Sequence, residues 1–237
     1  MKLLVWNIRQ GGGARVPRIV EEVAAHDADV IALTEFREPG GALAAGLRER
    51  GWPHVETSGP VGKENGIAIF SSTPMRLRSP APVEAAERFR WLEVELPAHG
   101  FGLCVLHIMA ATSQAKREAK RRFWEAVLAA AGTRVREPFL FAGSWNTGAH
   151  GLDEKGRTFD CAEHFRRLGP MGWTDAWRHH HPGSTEWTWY SNHGNGFRLD
   201  HAFASPDLLP RVRACRYSHV EREAKVSDHS MTLVEIE

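Results

Sequence analysis

The feature that most constrains this chain is a repeated one: a strand-length apolar run that stops abruptly at polar residues. KLLVWNI stops around Asn7 and DVIALTE at Glu35, FGLCVLHIM carries His107, and PFLFAG runs into Ser144 and Asn146. Continuous apolar runs this short have the length of buried strands. GIAIFSS, RFRWLEVEL, TEWTWYS, FRLDHAFAS, ACRYSHV and SMTLVEI add further strand candidates, several joined by the short polar loops of an antiparallel sheet.

Helical spacing appears between them. Val16, Ile19, Val20, Val23 and Ala24 recur on one face, and Leu43 and Leu47 sit one turn apart. Pro17 suits a first helical turn. A longer helix is expected from about Ser113 to Ala131, with Ala115, Ala119, Phe123, Ala126, Val127 and Ala130 along its apolar face, and another from Cys161 to Leu168. Strands in both crossover and hairpin style, mixed with helices, give an α/β layered domain with a mixed or mostly antiparallel sheet. Periodicity does not reveal how many sheets there are. No linker or repeat divides residues 1–237, so one domain is expected.

Composition narrows the function classes. At 42% hydrophobic and 25% charged residues, the chain has the make-up of a soluble globular protein. A net charge of +1 means that any anionic partner must be met by a local patch. Cys104, Cys161 and Cys215 form neither a disulfide framework nor a zinc pattern, which fits a reducing compartment. The apolar start is too short for a signal-peptide core, and no run approaches the ~20 residues of a membrane helix. A cytoplasmic, membrane-free monomer is expected.

The polar residues at the strand ends suggest chemistry if they converge. Glu35, Asp200 and Asp228, with the amides of Asn7 and Asn146 and the rings of His107 and His229, would then share one cleft. Carboxylates and amides without thiolates are hard oxygen donors, suited to Mg²⁺ or Mn²⁺. Such an ion polarises a phosphoryl oxygen. His229 backed by Asp200 can orient a water or stabilise charge. Taken singly, Asn7 or Glu35 fits a capping or strand-end role, and Ser227-Asp228-His229 fits a turn. Their joint occurrence, in order, carries the argument towards phosphoester hydrolysis.

That order resembles the endonuclease/exonuclease/phosphatase superfamily, which includes exonuclease III, abasic-site endonucleases and pancreatic deoxyribonuclease. The resemblance runs through LLVWNIR, ALTEFRE, ENGIAIFSS, VLHIM, FAGSWNTG, TWYS, GFRLDHAFAS and VSDHSMTLVEI, nearly the whole chain. It implies a four-layer sandwich, two packed sheets with helices outside. It also implies a metal-dependent phosphodiester hydrolase acting on nucleic acid, DNA above all, in the manner of exonuclease III. Glu35 would be the main metal ligand, with Asp228 and Asn7 at the same ion. Asn7 and Asn146 would contact the scissile phosphate or its water, and His229 would act there, paired with Asp200. His107 stands where abasic-site endonucleases carry Tyr and looks more like the pancreatic nuclease and phosphodiesterase branches.

One position departs from the pattern. The family motif is Gly-Asp-x-Asn, and this chain reads Gly143, Ser144, Trp145, Asn146. A serine cannot act as a carboxylate base, and losing such help costs about 10²–10⁴-fold in rate. Three accounts stay open: a substitution that traps substrate, a site that uses Ser144 with a bound water, and a silent nucleic-acid or phosphate binder. Small phosphoesters remain alternative substrates.

Substrate contacts are expected from Asn65, Trp189 and Arg198. An aromatic beside a phosphate site can stack on a base, although alternate aromatics on a strand also serve as core. Asn65 before Gly66 also fits a turn. Arg198, with Arg88 and Arg90, offers charge for a phosphate backbone. Lys116, Arg117, Lys120, Arg121 and Arg122 read as a solvated helical face, and His179–His181 as an exposed loop.

Overall fold

A computed structural model of the chain describes residues 1–37, 41–78 and 81–237. The strands are β1 (Lys2–Asn7), β2 (Val30–Phe36), β3 (His54–Thr57), β4 (Gly66–Ser71), β5 (Arg76–Leu77), β6 (Trp91–Leu96), β7 (Phe101–His107), β8 (Phe139–Ser144), β9 (Thr174–Asp175), β10 (Trp189–Tyr190), β11 (Gly196–Phe197), β12 (Asp200–Ala204), β13 (Val212–Ser218) and β14 (Met231–Ile236). The helices are α1 (Val16–Ala25), α2 (Ala42–Glu49), α3 (Gln114–Arg134), α4 (Ala162–Arg167), α5 (Ala176–His180) and α6 (Val220–Glu223).

Two six-stranded sheets form, in the orders β13-β14-β1-β2-β4-β3 and β5-β6-β7-β8-β12-β9, with β10 and β11 as a separate hairpin. Each sheet has one parallel pair, β1 with β2 and β7 with β8, amid antiparallel neighbours. Each parallel step follows a crossover that carries α1 or α3, as a parallel connection requires.

Strand alternation explains the layers. Leu3 and Val5 point between the sheets, where they meet Val94, Leu103, Val105, Leu140 and Ala142. Leu4 and Trp6, one residue out of phase, point outward and pack on Ile19, Val20 and Val23 of α1 and on Leu43 and Leu47 of α2. On the second sheet, Cys104, Leu106, Phe139 and Phe141 point outward beneath Phe123, Trp124, Val127 and Leu128 of α3. The product is a helix–sheet–sheet–helix stack, the four-layer sandwich expected.

Three local expectations are corrected. FRLDHAFAS is not one strand: β11 ends at Phe197 and β12 begins at Asp200. His179 and His180 end the short helix α5 rather than sitting in an exposed loop, and His181 caps it, stacked on Trp177. The buried face of α3 is Lys120, Phe123, Trp124, Val127, Leu128 and Ala131, rotated from the alanine-rich face. Ala115 is exposed, because the large side chains of Trp124 and Leu128 decide which face docks. Ser113 starts this helix by accepting a hydrogen bond from the Lys116 amide.

Candidate active site

Parallel and antiparallel pairing brings the polar strand ends to one edge of the sandwich. Asn7 ends β1 beside Thr34, the residue before Glu35 on β2. Asn65 precedes β4, which runs antiparallel to β2, and Asp228 and His229 precede β14, which runs antiparallel to β1. On the second sheet, His107, Ser144 and Asp200 stand in one cross-strand row on β7, β8 and β12.

The backbone is bent to present these groups. Glu35 sits at a register shift between β2 and β4 with φ of 56°, and Asn146 has φ of 46°. Left-handed backbone at non-glycine residues is uncommon and clusters at functional sites. Gly143 has φ of 137°, and a Cβ there would lie 2.0 Å from the Leu106 carbonyl oxygen. Only glycine fits before Ser144.

Glu35 is held by amides on both carboxylate oxygens. Asn7 Nδ2 donates to Oε1 at 3.2 Å, while Asn65 Nδ2 and the Gln10 amide donate to Oε2 at 3.0 and 2.8 Å. Arg37 Nε in turn donates to Asn65 Oδ1 at 2.6 Å. Asn65 therefore faces the cleft and orients Glu35, with no substrate needed to explain it. Asn7 Oδ1 accepts from the Arg9 amide at 2.9 Å. Trp189 Nε1 donates to Asp228 Oδ2 at 3.3 Å, and the Trp189 ring centre lies 6.5 Å from that of His229.

The two histidines are shifted in opposite directions. His229 Nδ1 lies 2.8 Å from Asp200 Oδ2. Burial alone would lower the pKa of His229, but Asp200, then Asp228 and Glu35, outweigh it and raise it. All three carboxylates thus act on one ring. His107 is pushed the other way, to about 3, by burial and then by Arg90 and His229. Its ring is neutral at neutral pH. Arg90 Nη1 approaches its Nδ1 at 3.3 Å, so Nδ1 accepts and the proton sits on Nε2, 3.6 Å from Glu35 Oε1. That contact is therefore not an ion pair.

Between His107 and Asp200, the Ser144 hydroxyl is buried with no hydrogen-bond partner among the described residues. Asn146 donates from Nδ2 to the Ile108 carbonyl at 2.8 Å, and its own carbonyl accepts from Lys120 Nζ at 2.6 Å.

Arg198 is corrected. It is 2% exposed, and Nε donates to Asp153 Oδ1 at 2.7 Å while Nη2 donates to Asp175 Oδ2 at 2.5 Å. Its donors are committed inside the protein, so it is a structural cation rather than a substrate contact. Arg90 is expected from the sequence only as charge for a phosphate backbone and is found beside the His107 ring, while Lys120, expected on a solvated face, is buried against Asn146. Neither follows an apolar run, so nothing local in the sequence marks them.

The model of the "Endonuclease/Exonuclease/phosphatase family" matches residues 4–229. The chain belongs to this family. No curated protein matches it. Among the solved structures that share the fold, three cover the full chain as follows. An AP endonuclease from Archaeoglobus fulgidus superposes with a TM-score of 0.86 at 20% identity, covering 100% of this chain and 99% of that one. The 3'-5' exonuclease NExo from Neisseria meningitidis gives 0.84 at 22%, with full coverage of both chains. An Asp-to-Asn variant of the 3' phosphatase NExo from Neisseria, bound to product DNA hairpin, gives 0.85 at 23%, covering 100% and 99%. Identities this low speak for the fold alone. The endonuclease/exonuclease/phosphatase family is one of hydrolases, and no helix among the described residues of this member is long and apolar enough to cross a membrane.

Proposed function

We propose that this chain is a divalent-metal-dependent phosphodiesterase acting on DNA, working as a single unit and a monomer, with Ser144 limiting its rate. The observation that carries the reading is the meeting of Glu35, Asp228 and the Asp200–His229 pair at one edge of the sandwich. The solved relatives that act on or hold DNA support the substrate class.

The donor set fits a hard cation. The Glu35 and Asp228 carboxylates and the Asn7 amide oxygen are all oxygen donors, with no thiol among them. A bound Mg²⁺ or Mn²⁺ supplies a Lewis acid for a phosphoryl oxygen. Asn7, Asn65 and the Gln10 amide fix the direction of Glu35. His229, held by Asp200 and shifted towards its protonated form, can offer an N–H donor to a developing phosphorane charge. His107 keeps its proton on the nitrogen nearer Glu35 and adds no net charge. Ser144 stands where the family motif carries its aspartate and can donate or accept a hydrogen bond, but it cannot take a proton as a carboxylate does. The unpartnered buried hydroxyl of Ser144 also favours a second reading, a binder that cuts nothing.

Cleavage assays on the unaltered chain and on Ser144→Asp, with Mg²⁺ and with EDTA, test the proposal. DNA, RNA and a simple aryl phosphodiester serve as substrates at two salt concentrations. Mg²⁺-dependent cutting of DNA that rises about 10²–10⁴-fold in Ser144→Asp is expected. A restored protein that cuts none of the three substrates leaves only the silent binder, and a preference for the aryl ester excludes DNA.

A further inference from the structure

On residues that take no part in the cleft, the start of α4 packs against α3. Cys161, Glu163 and His164 each bring a ligand atom there, and these atoms all lie within 4.8 Å of one another. Cys161 is the N-cap of α4, and its carbonyl accepts from the His164 amide at 3.0 Å, closing a turn between the two residues. Glu125 of α3 reaches the same imidazole. His164 Nδ1 lies 3.0 Å from Glu163 Oε1, and Nε2 lies 2.9 Å from Glu125 Oε1.

Cys161 is the decisive residue. It is 9% exposed, its side chain does not cap the helix, and its thiol has no hydrogen-bond partner among the described residues. A buried, unpartnered sulfur is thus aimed at an imidazole and a carboxylate. Cys104 and Cys215 are buried too, but neither shares such a cluster among the described residues.

We propose that Cys161, His164 and Glu163 form a second cation site, separate from the cleft, for a borderline divalent ion of the Zn²⁺ type. Sulfur and imidazole donors select this class over Mg²⁺ or Ca²⁺. The geometry assigns the ligands as Cys161 Sγ, His164 Nδ1 and a Glu163 oxygen. Glu125 then accepts from the Nε2–H and fixes the ring, the usual partner of a metal-bound histidine. The 3.0 Å between Nδ1 and the Glu163 oxygen is close to the roughly 3.3 Å that separates two ligands on a tetrahedral ion with ~2.0 Å bonds. Glu163 is exposed, so the fourth position opens to solvent. Burial holds the Cys161 thiol protonated, Lys120 opposes that, and Glu163 and Asp160 add to it. Binding therefore releases a proton from the thiol. The competing account is a His164 ring hydrogen-bonded between Glu163 and Glu125 with no ion at all.

Cobalt spectroscopy on the full chain separates the two. The metal-free protein is titrated with Co²⁺ in a large excess of Mg²⁺, which occupies any hard site in the cleft. A single Co²⁺ per chain with a thiolate-to-cobalt charge-transfer band is expected, displaced by Zn²⁺. The band disappears in Cys161→Ser, whose thermal unfolding confirms that it folds, and Glu125→Gln weakens binding about 10–100-fold. Glu35→Gln leaves the band intact, so the result stands apart from the fate of the nuclease reading. Absence of the band in the unaltered chain, or its survival in Cys161→Ser, overturns the proposal.

Discussion

The Lys120 ammonium lies 2.6 Å from the carbonyl of Asn146 and is only 2% exposed. No carboxylate pairs with it within ion-pair distance among the described residues, so a nearly bare cation props the loop that presents the Gly-Ser-x-Asn amide. Asn146 has left-handed backbone, and its side chain is tied to Ile108 on the far side. Lys120 is thus a positioning residue for that loop. The neighbouring Trp124 Nε1 reaches Thr147 Oγ1 at 3.3 Å and extends the same support.

The first prediction separates position from stability. Lys120→Met keeps the volume and removes a poorly paired buried charge, a change that is often neutral or stabilising. Unfolding in urea is expected to show a midpoint no lower than that of the unaltered chain. DNA binding and cleavage are expected to fall about 10-fold as Asn146 loses its anchor. A large loss of stability with unchanged binding would show that Lys120 serves the core alone.

The same lysine predicts a pH effect. Its pKa is lowered to about 8 by burial, against opposing pulls from Cys161 and Asp160. The unfolded chain holds this proton up to about pH 10.4. Between those values the unfolded state binds more protons, so stability rises with pH, by at most about 1.4 kcal/mol per unit. Lys120→Met lacks this rise. Urea unfolding of both chains across pH 7.5–10 isolates the difference.

The buried pair of Arg198 and Asp175 predicts acid behaviour. Burial would raise the pKa of Asp175, but Arg198 and then His201 hold it far below the usual carboxylate range. A depressed carboxylate stabilises fully above its unfolded value, about pH 4, and loses that contribution as pH falls through the folded value. Asp175→Asn leaves the Arg198 charge underpaired and is expected to cost about 3–5 kcal/mol at neutral pH. The loss begins to shrink below about pH 4, where the unfolded carboxylate takes up a proton that the folded one still refuses. Denaturation midpoints at pH 7 and pH 3 check both halves.

These groups mark where the sequence is legible and where it is not. Asn7, Glu35, His107 and Ser144 each follow an apolar run, so the strand that carries them also announces them. The order of the runs was enough to foresee two packed sheets by family likeness, although periodicity alone leaves the sheet count open. Lys120 and Arg198 were misplaced for one physical reason. A long cation reads as surface unless its partners are known, and those partners lie 26 and 45 residues away in sequence. The docking face of α3 was missed because alanines give weak direction, while Trp124 and Leu128 find their partners only in the folded sheet. The support of Glu35 by Asn65 and the Gln10 amide depends on loop backbone that no periodicity describes.

The last prediction concerns that support. Asn65→Ala removes the 3.0 Å hydrogen bond to Glu35 Oε2 and frees Arg37, which now donates to the same amide. The Gln10 amide still holds Oε2 and Asn7 still holds Oε1, so Glu35 stays in the cleft but swings more widely. A single neutral-to-charged hydrogen bond contributes about 1.5–3 kcal/mol. Because Asn65 is partly exposed and water can replace it, the lower end applies. Mg²⁺ affinity, followed by calorimetry, is expected to weaken about 10-fold, with the unfolding midpoint little changed. Asn65→Asp should do worse, since its carboxylate faces that of Glu35 and repels it, unless the added oxygen joins the ion. Tighter Mg²⁺ binding in Asn65→Asp would mean that position 65 lies within ligand reach and that Glu35 is not the sole carboxylate on its side of the cleft.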